Sequence, residues 1–360
     1  MTEAPEATPV DPTDMDRAGT TWLAPNRPDS AGSPGMRFAV DSWDPGYGTS
    51  SGDLDVDTST ANVTLDVELP QDQWAPIAPT PVALPDSLIF VDGVRRVDAQ
   101  LWLDDRDPAN GDVVGVLPAI CASYAAGAVC CCPDSAHVVQ VLARRGLFTT
   151  ATQAASVNTS AGDYSLSTTS PDPSRAPSQL LSQALQRKLA ELELIGAVEA
   201  RQARDAICGP TTNDLLVLDG PLQGRSALPR TLGYVKTHQS SYLPPDLHAL
   251  VSQLRAGERT PVFRVSSRYD TYTWYLRLPA RAGSPWAGVV RVEATADLAA
   301  PAAIAAANLS QAVLPTYASE EYKDTRAPQN LYPIAGLERE LKRRLGDQRL
   351  LYRALRLAAG

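Results

Sequence analysis

The chain has few aromatic residues, few histidines and no excess of basic over acidic residues. Aromatic residues make up 6% of its 360 residues, and histidine occurs three times. The formal net charge is −9, so general electrostatic attraction cannot hold nucleic acid, and such contact would need a local patch of Lys and Arg. The hydrophobic fraction of 44% is enough for the core of one or two domains.

Several catalytic signatures are also missing from the chain. There is no GxxxxGK[ST] phosphate loop, because the segment 220–226 is too short and lacks the lysine. There is no GxSxG nucleophile motif and no GxGxxG fingerprint. These absences remove most of the support for a nucleotide-driven motor, a serine hydrolase or a dinucleotide-dependent oxidoreductase.

The five cysteines include no CxxC pair. Cys130, Cys131 and Cys132 are consecutive, and three adjacent side chains on an extended chain cannot converge on one tetrahedral metal. An odd, clustered count also argues against a secreted disulfide framework. No basic stretch followed by an apolar run opens the sequence. We therefore expect reduced, mostly buried thiols in a cytoplasmic protein.

Composition divides the chain into four parts. Residues 1–35 are rich in Pro, Asp, Thr and Ser, which predicts a disordered tail, and short β-like pieces in 36–79 predict an N-terminal β extension. The main domain is expected at 80–345, with a basic C-terminal helix end at 346–360. Residues 113–133 carry no charge, but their small side chains and a proline favour buried strands over a membrane helix.

Hydrophobic periodicity predicts an α/β fold for the main domain. The continuous apolar run 87–91 is typical of a strand buried on both faces, and the Ser/Thr/Pro-rich stretch 156–178 predicts a long loop. Helical spacing of leucines predicts a long amphipathic helix over 179–207. Further strands are predicted at 97–103, 113–116, 125–131, 215–218, 232–237, 262–265, 271–278 and 288–293, and further helices at 246–254, 298–311 and 337–357.

Two of the apolar strands deliver a carboxylate at their ends, Asp92 in the sequence FVDG and Asp219 in VLDG. A carboxylate beside a buried strand is costly unless it is paired, hydrogen-bonded or bound to a metal. If the strands are neighbours, Mn²⁺ or Mg²⁺ would relieve the repulsion, and such a cluster can hydrolyse phosphodiesters. The alternative is that Asp-Gly after a strand is an ordinary turn signal.

Other charged residues are weaker candidates. Glu191, Glu193 and Glu199 lie on the long predicted helix, where most glutamates are simply solvated. Lys236, at the end of a predicted strand, could hold a phosphate or position a water, or be a surface lysine. The basic segment 338–356 is a candidate patch for DNA or a partner, although a solvated amphipathic helix explains it equally well.

Four segments occur in order: Phe90-Val91-Asp92-Gly93, residues 216–222 (LVLDGPL), residues 233–237 (GYVKT) and Asn330-Leu331-Tyr332-Pro333. Together, over roughly residues 80–345, they resemble the NurA nuclease family. The resemblance implies a ribonuclease H-like mixed sheet flanked by helices. It also implies a Mn²⁺-dependent (or Mg²⁺-dependent) nuclease with single-strand endonuclease and 5′-to-3′ exonuclease activity. Its implied partners are DNA, a second copy in a homodimer, and a HerA-type hexameric ATPase, in DNA end resection or phage defence.

The resemblance also assigns roles to single residues. Asp92 and Asp219 match the two aspartate motifs, and Lys236 and Tyr332 match the lysine and tyrosine motifs. The family has a helix glutamate before the second aspartate, and either Glu193 or Glu191 could fill that place. The implied metal ligands are therefore the two aspartates and one of these glutamates.

One departure from the family bears on activity. The family places a histidine about two helical turns after the tyrosine, but this chain has no histidine beyond His248. Glu338 and Glu340 lie in the corresponding stretch, so either a glutamate faces the metal or the site is weakened. The alternatives to an active nuclease are a catalytically weak structural or regulatory subunit of an ATPase complex and, more remotely, an unrelated α/β enzyme with Asp-Gly turns.

Overall fold

The computed structural model describes most of the chain from residue 57 onward. The predicted disordered tail and residues 36–56 of the predicted extension lie outside the described residues. The described residues are 57–58, 61–107, 109, 111–133, 135–222, 227–238, 240–267, 269–280 and 285–359.

A large mixed sheet is flanked by helices, as the sequence predicted. The strands are β1 Asp57–Thr58, β2 Asn62–Thr64, β3 Ser87–Arg106, β4 Val113–Cys132, β5 Ser135–Thr149, β6 Val157–Thr159, β7 Gly162–Thr168, β8 Asp214–Asp219, β9 Thr231–Val235, β10 Ser240–Ser241, β11 Phe263–Ser266, β12 Thr271–Arg277 and β13 Val289–Thr295. The helices are α1 Pro177–Cys208, α2 Pro245–Gln253, α3 Ala300–Val313, α4 Tyr332–Arg344 and α5 Gln348–Ala358, with short 3₁₀ turns at Gln71–Gln73 and Leu314–Tyr317.

Eleven of these strands form one sheet in the order β2-β11-β12-β13-β9-β8-β3-β4-β5-β7-β6, and β1 pairs with β10 separately. The pairs β3–β8, β8–β9 and β5–β7 are parallel, while β3–β4 and β4–β5 are antiparallel. The centre of the sheet therefore has β3 between the antiparallel β4 and the parallel β8.

Alternation along β3 distributes its side chains to two cores. Leu88 and Phe90 belong to the core beneath α3 and α4, whereas Ile89 and Val91 belong to the core that includes α1 residues. Both faces of this strand are covered, which explains why its sequence is apolar without interruption. None of the described helices has both the length and the apolar character needed to cross a membrane.

Two pairs of predicted strands are each one long strand. The β3 strand continues through residues 92–96 with an irregularity between Val97 and Ala99, and β4 continues through Pro118. The proline is tolerated because its missing N–H faces the β5 side, where the β4–β5 ladder already ends at the Ala119–Thr149 pair, so no ladder hydrogen bond is lost. The Pro118 carbonyl accepts a hydrogen bond from Thr149 Oγ1 on that side.

Two other predictions of local structure were wrong. The predicted loop 156–178 contains β6 and β7, which extend the edge of the sheet beside β5. The predicted helix 337–357 is two helices, because Gly346 adopts φ +84° between them. Asp347 then caps α5 by accepting hydrogen bonds from the backbone N–H groups of residues 349 and 350.

The described part of the N-terminal extension is joined to the sheet by a buried ion pair. Strand β2 pairs antiparallel with β11, and Ile77 bridges to Arg259. The Arg259 guanidinium, 1% exposed, donates to both carboxylate oxygens of Glu68 at 2.7 and 2.8 Å. The boundary of the extension at residue 79 stays a prediction. The described part of the extension contributes strand β2 and the Glu68 carboxylate to the main body.

Replacement of Glu68 by alanine is expected to lower the free energy of unfolding by about 3–5 kcal/mol, because Arg259 stays buried without its partner. The control is Asp104→Ala, which removes an ion pair to Arg106 whose side chains are 51% and 49% exposed. That loss should be below about 1 kcal/mol. Urea unfolding of both variants checks this, and equal losses would contradict the structural role of the extension.

Candidate active site

The parallel register of β3 and β8 brings Asp92 and Asp219 together. Val91 pairs with Leu218 in this ladder, so Asp92 and Asp219 are the next residues on two adjacent strands. Neighbouring strands lie about 4.8 Å apart, and residues at matching positions point to the same face. Both aspartates therefore project toward the face covered by α4, the face on which Phe90 and Val217 are buried.

A third carboxylate reaches the same place from α4. Ile334, Leu337 and Leu341 of this helix are buried in the core against the sheet. Glu338 follows Ile334 by four residues, so it lies on the same face of the helix. Ligand oxygens of Asp92, Asp219 and Glu338 all lie within 4.8 Å of one another.

Asp92 is in an unfavourable electrostatic environment in the absence of a cation. It is buried, and its Oδ1 accepts a hydrogen bond from the Gly93 N–H at 2.7 Å, whereas its Oδ2 has no hydrogen-bond partner in the described part of the chain. Burial, together with the negative charges of Asp219 and Glu338, raises the pKa of the Asp92 carboxyl well above its usual range. A cation bound here would favour the ionised form.

Lys236 neutralises part of this charge and holds Asp219. Its Nζ lies 2.7 Å from Asp219 Oδ2 and donates a hydrogen bond to Asn330 Oδ1 at 3.0 Å. Asn330 in turn donates to Asp324 Oδ2 at 2.7 Å. The ammonium group is therefore fixed from two sides, and it keeps the Asp219 carboxylate in a single orientation.

Arg326 holds the Glu338 carboxylate in the same way, with a guanidinium nitrogen 2.6 Å from Glu338 Oε2. Burial acts to raise the pKa of Glu338, but the hydrogen bond from Arg326 and the charges of Lys236 and Lys342 outweigh it. The pKa of Glu338 is consequently lowered, so this carboxylate is ionised at neutral pH.

The three carboxylates line a cleft with a volume of about 390 Å³. The cleft exists because β8 ends at Asp219, where Gly220 turns the chain with φ +97°, while β3 continues for many residues. Glu193 of α1 also lines the cleft, beside Gly93. Gly93 makes room for it, since a Cβ at this position would overlap the Glu193 carboxyl group and lie 2.8 Å from Leu189 Cδ1.

The two Asp-Gly pairs thus have different structural roles. Gly220 forms the turn that an Asp-Gly pair after a strand predicts. Gly93 lies in the middle of a strand and permits the close approach of a helix. In neither case does the turn explanation account for the aspartate, because both carboxylates face the same cluster.

The structure does not bring Glu191 or Tyr332 to this cleft. Glu191 is exposed on the outer face of α1, where its carboxylate pairs with Lys188 at 2.7 Å. Tyr332 begins α4, is 37% exposed, and lies beneath the Lys323 ammonium at 5.2 Å from its ring centre. Of the charged residues singled out from the sequence, Asp92, Asp219, Glu193, Lys236 and Glu338 line the cleft.

Arg326 and Asn330 were not among the residues selected from the sequence. Asn330 is part of the quoted Asn-Leu-Tyr-Pro motif, so its position beside Lys236 had a sequence signal that was assigned to the tyrosine instead. Glu338 had been named as one of two possible replacements for the missing histidine. Its spacing from Ile334 and Leu341 separates it from Glu340, whose carboxylate pairs with Arg343 and Arg344.

Comparisons with known proteins agree with these motifs. The family model described as NurA domain matches residues 154–343, more than half of the chain. The matched segment contains Asp219, Lys236 and Glu338. Asp92 lies outside it and is brought to the other acids by the pairing of β3 with β8. The crystal structure of the NurA nuclease from Sulfolobus solfataricus is similar over 74% of this chain and 81% of that chain, at 10% identity and a TM-score of 0.38. No curated protein matches the sequence.

Two buried aspartates on β3 give a matched test of this electrostatic environment. Asp98 accepts hydrogen bonds from Ser123 at 2.5 Å and Tyr164 at 3.0 Å, and it pairs with Arg96 at 2.9 Å. We expect Asp92→Asn to raise the melting temperature of the metal-free protein at neutral pH, because it removes a buried carboxyl group whose ionisation is opposed by burial and by the charges of Asp219 and Glu338. Asp98→Asn should lower the melting temperature, because it weakens a satisfied network.

The pH dependence follows from the raised pKa of Asp92. In the folded state this carboxyl holds its proton to higher pH than in the unfolded chain, so metal-free wild type loses stability as pH rises from about 4 toward the folded-state pKa. The advantage of Asp92→Asn over wild type should therefore grow with pH in that window. Thermal melts in chelator across pH check this, and a constant or shrinking advantage would contradict it.

Proposed function

This chain belongs to the NurA domain family, and we propose that it is a metal-dependent nuclease that hydrolyses phosphodiester bonds of DNA. The observation that carries the proposal is the convergence of Asp92, Asp219 and Glu338 within 4.8 Å at the base of an open cleft. The strand order β5-β4-β3-β8-β9, with β4 antiparallel and β8 parallel to β3, supports a ribonuclease H-like core for it.

The acids at this cleft fit a hard divalent cation. Carboxylate oxygens are the donors that Mg²⁺ and Mn²⁺ prefer. Asp92 Oδ2 is buried without a hydrogen-bond partner among the described residues, so this oxygen keeps its lone pairs for a ligand that the protein does not supply. When bound, Mn²⁺ or Mg²⁺ would supply Lewis acidity toward a phosphodiester oxygen and lower the pKa of water.

The chain's own residues hold the substrate and the acids in place. Lys236 and Arg326 line the cleft and fix the Asp219 and Glu338 carboxylates, and both present positive charge to an incoming phosphate. Glu193, which lines the cleft beside Gly93, is the carboxylate we propose to accept a proton from the attacking water. Glu338 takes the position that the family gives to a histidine.

Local positive charge offsets the acidic balance of the chain near this cleft. Arg95 lines the cleft, and the last turn of α4 carries Lys342, Arg343 and Arg344. Lys342 Nζ lies 3.7 Å from Glu338 Oε2, so this basic turn is continuous with the site. A DNA backbone can therefore meet cations on its way to the carboxylates.

The finer features of the proposal come from family membership. They are single-strand endonuclease and 5′-to-3′ exonuclease activity, preference for Mn²⁺, and action with a HerA-type hexameric ATPase in DNA end resection or phage defence.

Exposed apolar side chains near the free end of the β3–β4 hairpin, among them Trp102, Val114 and Val116, support a homodimer. A DNA substrate fits the cytoplasmic location that the free thiols predict.

Glu338 and Glu340 provide a matched pair for the activity. Glu338→Gln is expected to reduce Mn²⁺-dependent cleavage of single-stranded DNA by on the order of 100-fold or more, because it removes a negative charge that would hold the cation, and the cation would stabilise the charge that develops in the transition state. Glu340→Gln should cleave at the wild-type rate, since its partners are the exposed Arg343 and Arg344. Cleavage of a labelled oligonucleotide, with Asp92→Asn as the inactive reference, measures this.

A measurement of metal binding distinguishes the possible outcomes of the cleavage assay. Mn²⁺ should raise the melting temperature of wild type and Glu340→Gln by mass action, but raise that of Glu338→Gln less. Wild-type cleavage by Glu338→Gln would remove this residue from the site. Metal binding by a wild type that cleaves no DNA would favour the catalytically weak subunit instead.

A further inference from the structure

Three cysteine sulfurs converge at the end of α1, away from the cleft. Cys208 Sγ lies 3.8 Å from Cys130 Sγ, which lies 3.0 Å from Cys132 Sγ. All three sulfurs lie within 4.8 Å of one another. None of these cysteines is in a disulfide.

The local structure explains why these three thiols meet and Cys131 does not join them. Side chains alternate along β4, so Cys130 and Cys132 share one face and Cys131 points to the other. Cys131 is buried in the core beneath α3 and α4, and Cys208 is the last residue of α1 on the opposite face. The sequence expectation that the consecutive cysteines cannot converge by themselves holds, but the helix end adds the missing thiol.

The separations suit a tetrahedral thiolate site. A Zn–S bond of about 2.3 Å implies sulfurs about 3.8 Å apart around a tetrahedral zinc. The distance between Cys208 and Cys130 already has this value. The closer Cys130–Cys132 pair needs to widen by less than about 1 Å, and Cys132 lies near the end of its strand, where a side chain can adjust.

The ladder between β4 and β5 places a histidine on the face of the sheet that carries the three sulfurs. His137 is the cross-strand partner of Cys130, so its side chain leaves the sheet on the same face. The ring is exposed, and its Nε2 lies 2.7 Å from Ser135 Oγ. Imidazole and thiolate are the usual ligands of structural zinc.

We propose that Cys130, Cys132 and Cys208 bind one Zn²⁺ ion, with His137 as the fourth ligand. The site is distinct from the carboxylate cleft. Cys130 pairs with Ile89 and Gly127 pairs with Asp92 on the same strands, which separates the two positions by about 10 Å along the ladder. The thiols also lie on the α1 face, whereas the three carboxylates lie on the α4 face, so soft and hard ligands are segregated.

The zinc would fasten the C-terminal end of α1 to the β4–β5 hairpin. This helix carries Glu193 to the cleft, so its anchoring bears on the position of that acid. Zinc binds the thiolate form of cysteine and not the protonated thiol. Zinc binding should therefore release protons.

The experiment is metal analysis of the full-length protein purified under reducing conditions. Wild type and Cys131→Ser are expected to retain about one equivalent of zinc after dialysis, while Cys208→Ser loses most of it. Cys131→Ser is the matched control, because it removes a thiol from the same strand but not from the cluster. Cobalt added to the metal-free wild type should give the intense thiolate-to-metal absorption of a tetrahedral site, which Cys208→Ser should lack.

Two further variants keep the test decisive. Asp92→Asn should retain its zinc and the cobalt spectrum, because the carboxylate cleft is a separate site; loss in that variant would overturn the proposal. His137→Ala should hold zinc more weakly but keep the cobalt–thiolate absorption. Wild type that binds no zinc while all its thiols are titratable, or that forms a disulfide through Cys208 in preference to binding metal, would also overturn it.

Discussion

The candidate active site depends on one constraint, the register between two parallel strands. Because Val91 pairs with Leu218, the aspartates that follow them must share an edge and a face of the sheet. Their mutual repulsion is increased by burial and by Glu338, so the protein tolerates the arrangement only where positive charge is supplied. Lys236 and Arg326 supply part of that charge from the protein, and a divalent cation would supply the rest.

The same constraint explains how the surrounding structure is organised. The segment before α4 brings Asn330 and Arg326 to the lysine and the glutamate, so that Asp219 and Glu338 are each held by a fixed cation. On the other face, α1 approaches β3 closely enough to require Gly93 and brings Glu193 to the cleft. Opposite faces of one strand therefore contribute to one opening, because β8 ends where β3 continues.

Much of this could be predicted from the sequence, because the signals are local. The buried strands before Asp92 and Asp219, the leucine spacing of α1 and the order of the motifs are all visible in short windows. The continuity of β3 and β4 was not, because Asp92-Gly93 resembles a turn within one strand and Pro118 resembles the end of the other. The edge strands β6 and β7 depend on pairing with β5, and the choice of Glu338 over Glu340 depends on which face α4 buries. The meeting of Cys208 with Cys130 and Cys132 is likewise a tertiary contact between distant segments.

We infer that Asp92, Asp219 and Glu338 jointly hold a divalent cation. Crystallography with Mn²⁺, using anomalous scattering to locate the ion, tests this inference. We expect a manganese peak at the base of the cleft in direct contact with an oxygen of each of these three carboxylates. A peak bound elsewhere, or an empty cluster at a manganese concentration that saturates binding in solution, would contradict it.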